Sequence, residues 1–341
     1  VHALAVFVRS ARLAAAAIAL SATAASGAVA PAPELPVIDL RVGLARGLAR
    51  DGSLAEGVGQ AGYVALDKGR VIGALVPLAA DRQGGAASEY STLRAALGFS
   101  ERFAVGSCNP PPGRISAWFE LDAPDELSDA PSLVGLWVAR GARVFAIARA
   151  HDTDLGTAAS GLETGPVVGL SAAGREVVRQ VFAAGALVDV SNASALTIDD
   201  VIELANAAHA PVIATHSNAK ALADQASNLS DTQLREIANS GGLVGVTAEH
   251  GLLAPGRTAK LEHLVRQITY LVRLIGAEHV GLGIGFEAGV SPVTDFRSAA
   301  DFPRLAAALR SAGLNPAQVA QIFYQNAQRL LCPRAAVRRA K

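Results

Sequence analysis

The sequence predicts an α/β protein built as a (β/α)8, TIM-like barrel, and three observations carry that expectation. Eight short runs rich in β-branched and apolar residues recur along the chain, segments of helical period separate them, and no G-x-G-x-x-G follows the first run. Strand and helix units repeated in one large domain close into a barrel, where functional side chains project from the C-terminal strand ends. The missing glycine fingerprint argues against the rival, an open doubly wound sheet.

The strand runs occupy 37–40 (VIDL), 71–78 (VIGALVPL), 114–121 (RISAWFEL), 143–149 (RVFAIAR), 186–191 (ALVDVS), 211–217 (PVIATHS), 242–247 (GLVGVT) and 280–286 (VGLGIGF). Helical pattern fills 171–184, 197–208, 231–240 and 259–275, and resumes after the eighth strand at 299–311 and 316–330. Ser171, Thr197 and Ser230 read as N-caps, because a hydroxyl at a helix start satisfies an orphan amide donor. Gln233 lies at capping-box distance from Ser230. The stretch 108–113 (CNPPPG) reads as a surface loop, and no internal repeat is present.

At 341 residues the chain is long enough for one large domain with a well-buried core. Thirty basic residues balance thirty acidic ones, so there is no basic footprint for nucleic acid and no polybasic membrane patch. Arg9 and Arg12 precede an apolar run at 13–25 that leads through small residues into PAPELP. This is the pattern of a secretory signal peptide over 1–30, cut after Ala24 or Ala28, and it is too short for a stable membrane span. The expectation is therefore export to the periplasm or beyond, with a single domain over 31–331 and a C-terminal tail at 332–341. Cys108 and Cys332 lack C-x-x-C spacing; export permits a bridge between them, but the sequence reading favours two buried thiols.

Four segments carry more specific information: 169–194 (GLSAAGREVVRQVFAAGALVDVSNAS), 210–246 (APVIATHSNAKALADQASNLSDTQLREIANSGGLVGV), 279–289 (HVGLGIGFEAG) and 314–331 (LNPAQVAQIFYQNAQRLL). In order and spacing they resemble the membrane (renal) dipeptidase family of zinc metallopeptidases. That resemblance implies a barrel of the metal-dependent hydrolase type with a binuclear zinc centre. Its ligands would be a His-x-Asp pair from the first strand, a bridging Glu from the third and one His each from the fifth and sixth, with a catalytic Asp from the eighth. Such a centre works by lowering the pKa of a bridging water and polarising the scissile carbonyl.

Mapped onto this chain, most of that inventory is replaced. Arg41 and Gly43 stand at the His and Asp positions of the first strand, Asn192 at the fifth-strand His and Gly285 at the catalytic Asp, with Glu287 at a second Asp. Glu120 and His216 alone keep the family's metal-ligand identities, and two ligands fall short of the roughly three or four that zinc needs. At two substrate-contacting positions, Arg149 replaces a His and Ser227 an Arg. His151 lies two residues beyond Arg149, near enough to be weighed as a site residue, whereas His209, His250, His263 and His279 fall at helix, loop or helix-to-strand positions. There is no G-x-S-x-G, H-E-x-x-H or P-loop, and Glu249-His250 is a bare dipeptide.

The expectation is a degenerate metal site, with Glu120 and His216 vestigial, in a pseudoenzyme that needs no cofactor or binds a small or dipeptide-like ligand. The rivals are an active zinc-dependent dipeptidase using a reduced site on His216 and Glu120, and an assembly scaffold; the resemblance also implies a homodimer. A buried Glu120 without metal needs a counter-charge. Arg41 is expected to supply it by bidentate pairing, with Arg149 as a second cation attractive to a carboxylate or phosphate.

Overall fold

Strands covered by helices on the outside and packed against one another inside read as unbroken apolar runs. The strand Ile115–Asp122 is buried at every position. The computed structural model describes residues 35–51, 59–79, 85–96, 99–122, 124–159, 166–287 and 293–332. The expected signal segment at 1–30 and the tail beyond Cys332 lie outside the described residues.

The strands are β1 (Val37–Asp39), β2 (Val71–Ala79), β3 (Phe103–Val105), β4 (Ile115–Asp122), β5 (Ala142–Ala146), β6 (Leu187–Asp189), β7 (Val212–Ser217), β8 (Leu243–Val246) and β9 (Val280–Leu282). All pair in parallel in the order β2-β1-β9-β8-β7-β6-β5-β4-β3, and β2 also pairs with β4. That last pairing closes eight strands into the expected barrel. The sequence did not reveal β3, a three-residue strand outside the ring and too short to carry a periodic signal. It takes the edge of β4 at Ile115–Ala117, and β5 takes over the same edge from Phe119 onward.

Inside the ring, Ile38, Leu40, Leu75, Trp118, Val144, Leu187, Ile213 and Leu243 cluster with Ala327, Leu330 and Leu331 of the helix Asn326–Leu331. This helix thus stoppers the barrel where the strands begin. Asn326 anchors it by donating through Nδ2 to the carbonyls of Ala277 and Val280 at 2.7 and 2.9 Å. Each fully buried aliphatic side chain in this layer contributes about 1.5–3 kcal/mol of transfer free energy.

Several strands end earlier than their apolar runs, and two carboxylates explain why. Asp39 Oδ1 accepts from the amides of Arg41 and Ile284 at 3.1 and 3.0 Å, and Asp189 Oδ1 accepts from those of Ser191 and Thr215 at 3.0 and 2.8 Å. In both cases a strand-end carboxylate replaces ladder carbonyls, so the backbone leaves the sheet without stranding its donors. The caps at Ser171 and Ser230 form as expected, the latter with Gln233 in a full capping box. The cap assigned to Thr197 is corrected to Ser194, whose hydroxyl accepts from the Thr197 amide; Thr197 lies in the first turn.

The two cysteines are also corrected. Cys108 and Cys332 form a disulfide with Cα atoms 5.6 Å apart, so Cys332 belongs to the domain and not to a tail. The helix Asn326–Leu331 folds back beneath the barrel beside the 106–113 loop, a proximity that a separation of 224 residues hides in the sequence. Closing so long a loop restricts the unfolded chain, so Cys108→Ser with Cys332→Ser is expected to lower stability by about 2–5 kcal/mol. Denaturant midpoints of the double variant and of reduced wild type should coincide, both below that of the oxidised protein.

Candidate functional site

Glu120 and Asp122 lie two residues apart on β4, so both point to one face at the C-terminal mouth of the barrel. Glu120 is fully buried and Asp122 nearly so. Asp189 ends β6 beside them. From β7 come two adjacent residues, Thr215 and His216, which a regular strand would turn to opposite faces. The register of β7 against β8 slips between Ala214 and Ser217, and this irregularity lets both side chains reach the same cluster. Gly245 and Gly283 flank it: a Cβ at either would stand 2.2 or 1.8 Å from the Thr215 carbonyl oxygen, so only glycine permits this approach.

Arg41, just beyond β1, enters the cluster as expected, but its pairing differs from a bidentate grip on Glu120. Nη1 donates to Glu120 Oε2 at 3.3 Å and Nη2 to Asp122 Oδ2 at 3.4 Å. Both contacts are longer than the ~2.7–2.9 Å of a tight charge-assisted bond, as befits one planar cation stretched between two carboxylates. Arg149 reaches the same Asp122 oxygen at 3.6 Å. Burial works against the Arg41 charge, but the fields of Asp122, Glu120, Asp189 and Glu249 outweigh it and raise its pKa. Arg41 is therefore a permanent cation.

One guanidinium cannot neutralise that many carboxylates. Burial, and next the charge of Asp189, push the Glu120 carboxyl well above its usual range; Arg41 pulls it back only in part. The Thr215 hydroxyl stands between the two carboxyls, 3.3 Å from Glu120 Oε1 and 2.8 Å from Asp189 Oδ2. Burial first, and Arg41 second, hold His216 well below the usual imidazole range, so it is neutral at pH 7. Its tautomer follows from its partners. Thr215 Oγ1 donates to Asp189 Oδ2 at 2.8 Å and so receives Nδ1–H of His216, also at 2.8 Å. The Nε2 lone pair then accepts from Asn192 Nδ2 at 3.0 Å.

These contacts decide whether the residues present fit a binuclear zinc centre. They do not fit. The imidazole lone pair that would bind a metal is capped by the Asn192 amide, and a guanidinium stands between the carboxylates that would bridge two cations. Among the described residues, no three His, Cys, Asp or Glu side chains converge as a metal site. Gly285 has a φ of 89°, in the left-handed region, and its amide donates to the Arg41 carbonyl at 3.1 Å. An aspartate there would have to adopt a backbone conformation that favours glycine.

The remaining sequence candidates scatter. Gly43 donates its amide to the Phe286 carbonyl at 2.8 Å and lines, with Arg41 and Asp122, a cavity of about 20 Å³, room for one water. Glu287 turns away, its carboxylate accepting from the amides of Gln60 and Ala61. Ser227 lies in the loop after β7, where its carbonyl accepts from Ser217 Oγ. His151 is exposed and does not enter the site.

Sequence reasoning missed Asp122, Asp189, Thr215, Asp39 and Glu249. For three of them a signal existed: Asp39, Asp122 and Asp189 are acids attached to apolar strand runs, and a buried acid requires a partner. Glu249, just after β8, is felt through its charge; burial raises its pKa and Arg41 lowers it.

Removing the cation should expose the crowding of like charges. Arg41→Ala is expected to cost about 3–5 kcal/mol at pH 7, the range for stripping one partner from a buried ionic cluster. The loss should shrink at pH 5, where carboxyls take up protons, and adding Glu120→Gln should restore part of it; denaturant titrations at both pH values read this out. Asp39 supplies a second pH effect, because burial raises its pKa from 3.8 to about 7 despite the two amide bonds. A raised carboxyl pKa stabilises the fold below the unfolded value, and that contribution is lost as pH climbs through the folded value. Asp39→Asn should therefore flatten the fall in stability between pH 4 and pH 7 by a few kcal/mol, on the order of the linkage relation.

The comparisons with known proteins agree with this frame. A family model described as membrane dipeptidase (peptidase family M19) matches residues 111–340. An uncharacterized protein in the pqqA 5′ region of Klebsiella pneumoniae is 39% identical over 173 residues, 50% of this chain and 62% of that protein. A dipeptidase of Claviceps purpurea is 26% identical over 223 residues, 64% of this chain and 51% of that protein. The aligned region thus spans between about half and two thirds of these relatives' length. Among solved structures, a metallo peptidase from Rhodobacter sphaeroides liganded with a phosphinate mimic of L-Ala-D-Ala superposes with a TM-score of 0.78 at 22% identity, covering 87% of this chain and 99% of that one. The probable dipeptidase PvdM from Pseudomonas aeruginosa gives 0.77 at 20% identity, covering 87% and 94%. Those likenesses establish the fold, and the family match, extending over well more than half of the chain, establishes kinship: the protein belongs to the membrane dipeptidase family, peptidase family M19.

Proposed function

We propose that this chain is an exported, non-catalytic member of its family that binds a small carboxylate-bearing, dipeptide-like molecule at the barrel mouth without cleaving it. The observation that carries this reading is the Arg41 guanidinium spanning Glu120 and Asp122. A zinc dipeptidase needs ligands free to hold its cations and a carboxylate free to move a proton. Here Arg41 engages the strand-four carboxylates, Asn192 holds the His216 lone pair, and Gly285 brings no carboxylate at all.

Recognition of a carboxylate rests on Arg149. It is one-fifth exposed, it shares Asp122 with Arg41, and its guanidinium keeps donors for a ligand at the mouth. Export is supported by the Cys108–Cys332 bridge, since disulfides persist in oxidising compartments. Among the described residues no helix is long and apolar enough to cross a membrane.

The test is zinc content after metal loading and dialysis, measured beside hydrolysis of a dipeptide panel. Zinc well below one ion per chain, no turnover, and dipeptide binding weakened about tenfold or more by Arg149→Ala are the expected results. Near-stoichiometric zinc with turnover that vanishes in His216→Ala would establish the opposite reading, an active dipeptidase on a reduced site.

A further inference from the structure

A separate feature lies on the flank of the barrel near the start of β4, at the end opposite Arg41. There β3 leaves the edge of β4 and β5 arrives. Gly106 closes the first pairing, its amide donating to the Ala117 carbonyl at 2.8 Å, and Gly141 opens the second, its carbonyl accepting from the Phe119 amide at 3.0 Å. The gap between the two strands opens into a recess of about 620 Å³, within the ~300–1,000 Å³ usual for small-molecule sites. Its walls come from Tyr90 and Arg94 of the helix Gly85–Ala95, from β3, from Arg114 ahead of β4 and from Arg140 at the end of the helix Val134–Ala139.

Three arginines face this recess and no carboxylate lines it. In a chain with a formal net charge of zero, that is a local segregation of positive charge. Among the described residues, no acidic side chain pairs with Arg94, Arg114 or Arg140. Arg140 is held by stacking, which leaves its N–H donors uncommitted. Its guanidinium carbon sits 5.0 Å from the Trp137 ring and 5.8 Å from that of Tyr90, and Tyr90 is itself braced edge-on against Phe119 at 5.4 Å. A cation fixed over aromatic faces loses little entropy when an oxyanion arrives, and planar guanidinium groups match phosphate and carboxylate oxygens.

We propose that this recess is a second ligand site, for a small polyanion whose phosphate or carboxylate groups are gripped by Arg94, Arg114 and Arg140. It is separate from the barrel mouth and independent of what binds there.

Calorimetric titration of the full chain with pyrophosphate and, separately, with citrate at low ionic strength tests it and distinguishes the two oxyanion sources. Saturable binding of either anion, weakened about tenfold or more in Arg94→Ala/Arg140→Ala and unchanged in Arg310→Ala, an exposed arginine outside the recess, is the expected result. Circular dichroism checks that the double variant is folded; if it is not, single charge reversals at the exposed Arg94 and Arg114 replace it and should weaken binding at least as much. No saturable binding of either anion, affinity that survives these substitutions, or an equal loss of binding in Arg310→Ala would overturn the proposal.

Discussion

The mouth of this barrel depends on one positive charge. Asp122, Glu120, Asp189 and Glu249 all act on Arg41, and the first three are buried beside it. In the family's zinc centre, divalent cations would balance such a set; here a guanidinium takes that place. The guanidinium is the better suited of the two side-chain cations. Its plane presents separate N–H groups to Glu120 and Asp122, and it does not lose its charge on burial as a lysine readily would. Burial first, and the charge of Asp189 second, still raise the Glu120 carboxyl well above its usual range, which Arg41 offsets only in part.

The same cluster shapes the backbone. Asp39 and Asp189 terminate their strands by accepting amides that would otherwise belong to a sheet ladder, and each ties its own strand end to a neighbouring strand. Electrostatics and topology are therefore coupled. A change in the protonation of Asp39 alters a group that fastens β1 to the segment following β9, and a change at Asp189 alters one that fastens β6 to β7. His216 belongs to this framework: Thr215 and Asn192 hold both of its ring nitrogens, so its place is kept by hydrogen bonding. Residue identity at a family position does not report chemical availability there.

Much of the architecture was legible in the sequence because burial on both faces writes long apolar runs. All eight barrel strands were found this way, and the contact between Arg41 and Glu120 followed from the site positions that the resemblance implies for both, joined to the need of a buried carboxylate for a counter-charge. What escaped was what a linear pattern does not encode. β3 is too short to show a period, the slip in β7 that brings Thr215 beside His216 leaves no compositional trace, and the approach of Cys108 to Cys332 is a property of closure. Asp122 has no role in the ligand set that the resemblance implies, although its place two residues beyond Glu120 fixes it on the same face. That omission is why Arg41 was expected to grip one carboxylate and instead bridges two.

The two ends of the barrel now differ in kind. At the C-terminal mouth, positive charge is internally matched: Arg41 is engaged by Glu120 and Asp122, and Arg149 shares the latter. At the opposite end, the recess beside β3 gathers three arginines with no acid in its lining and steadies Arg140 by stacking. Among the described residues, the arginines at that flank have no acidic partner, whereas Arg41 and Arg149 at the mouth have one or more. In a (β/α)8 barrel, chemistry is ordinarily sought at the C-terminal face and the N-terminal face is assigned to stability. Among the described residues the mouth keeps Arg149 as its cation with donors to spare, because Arg41 is engaged by Glu120 and Asp122, so positive charge is divided between the two ends.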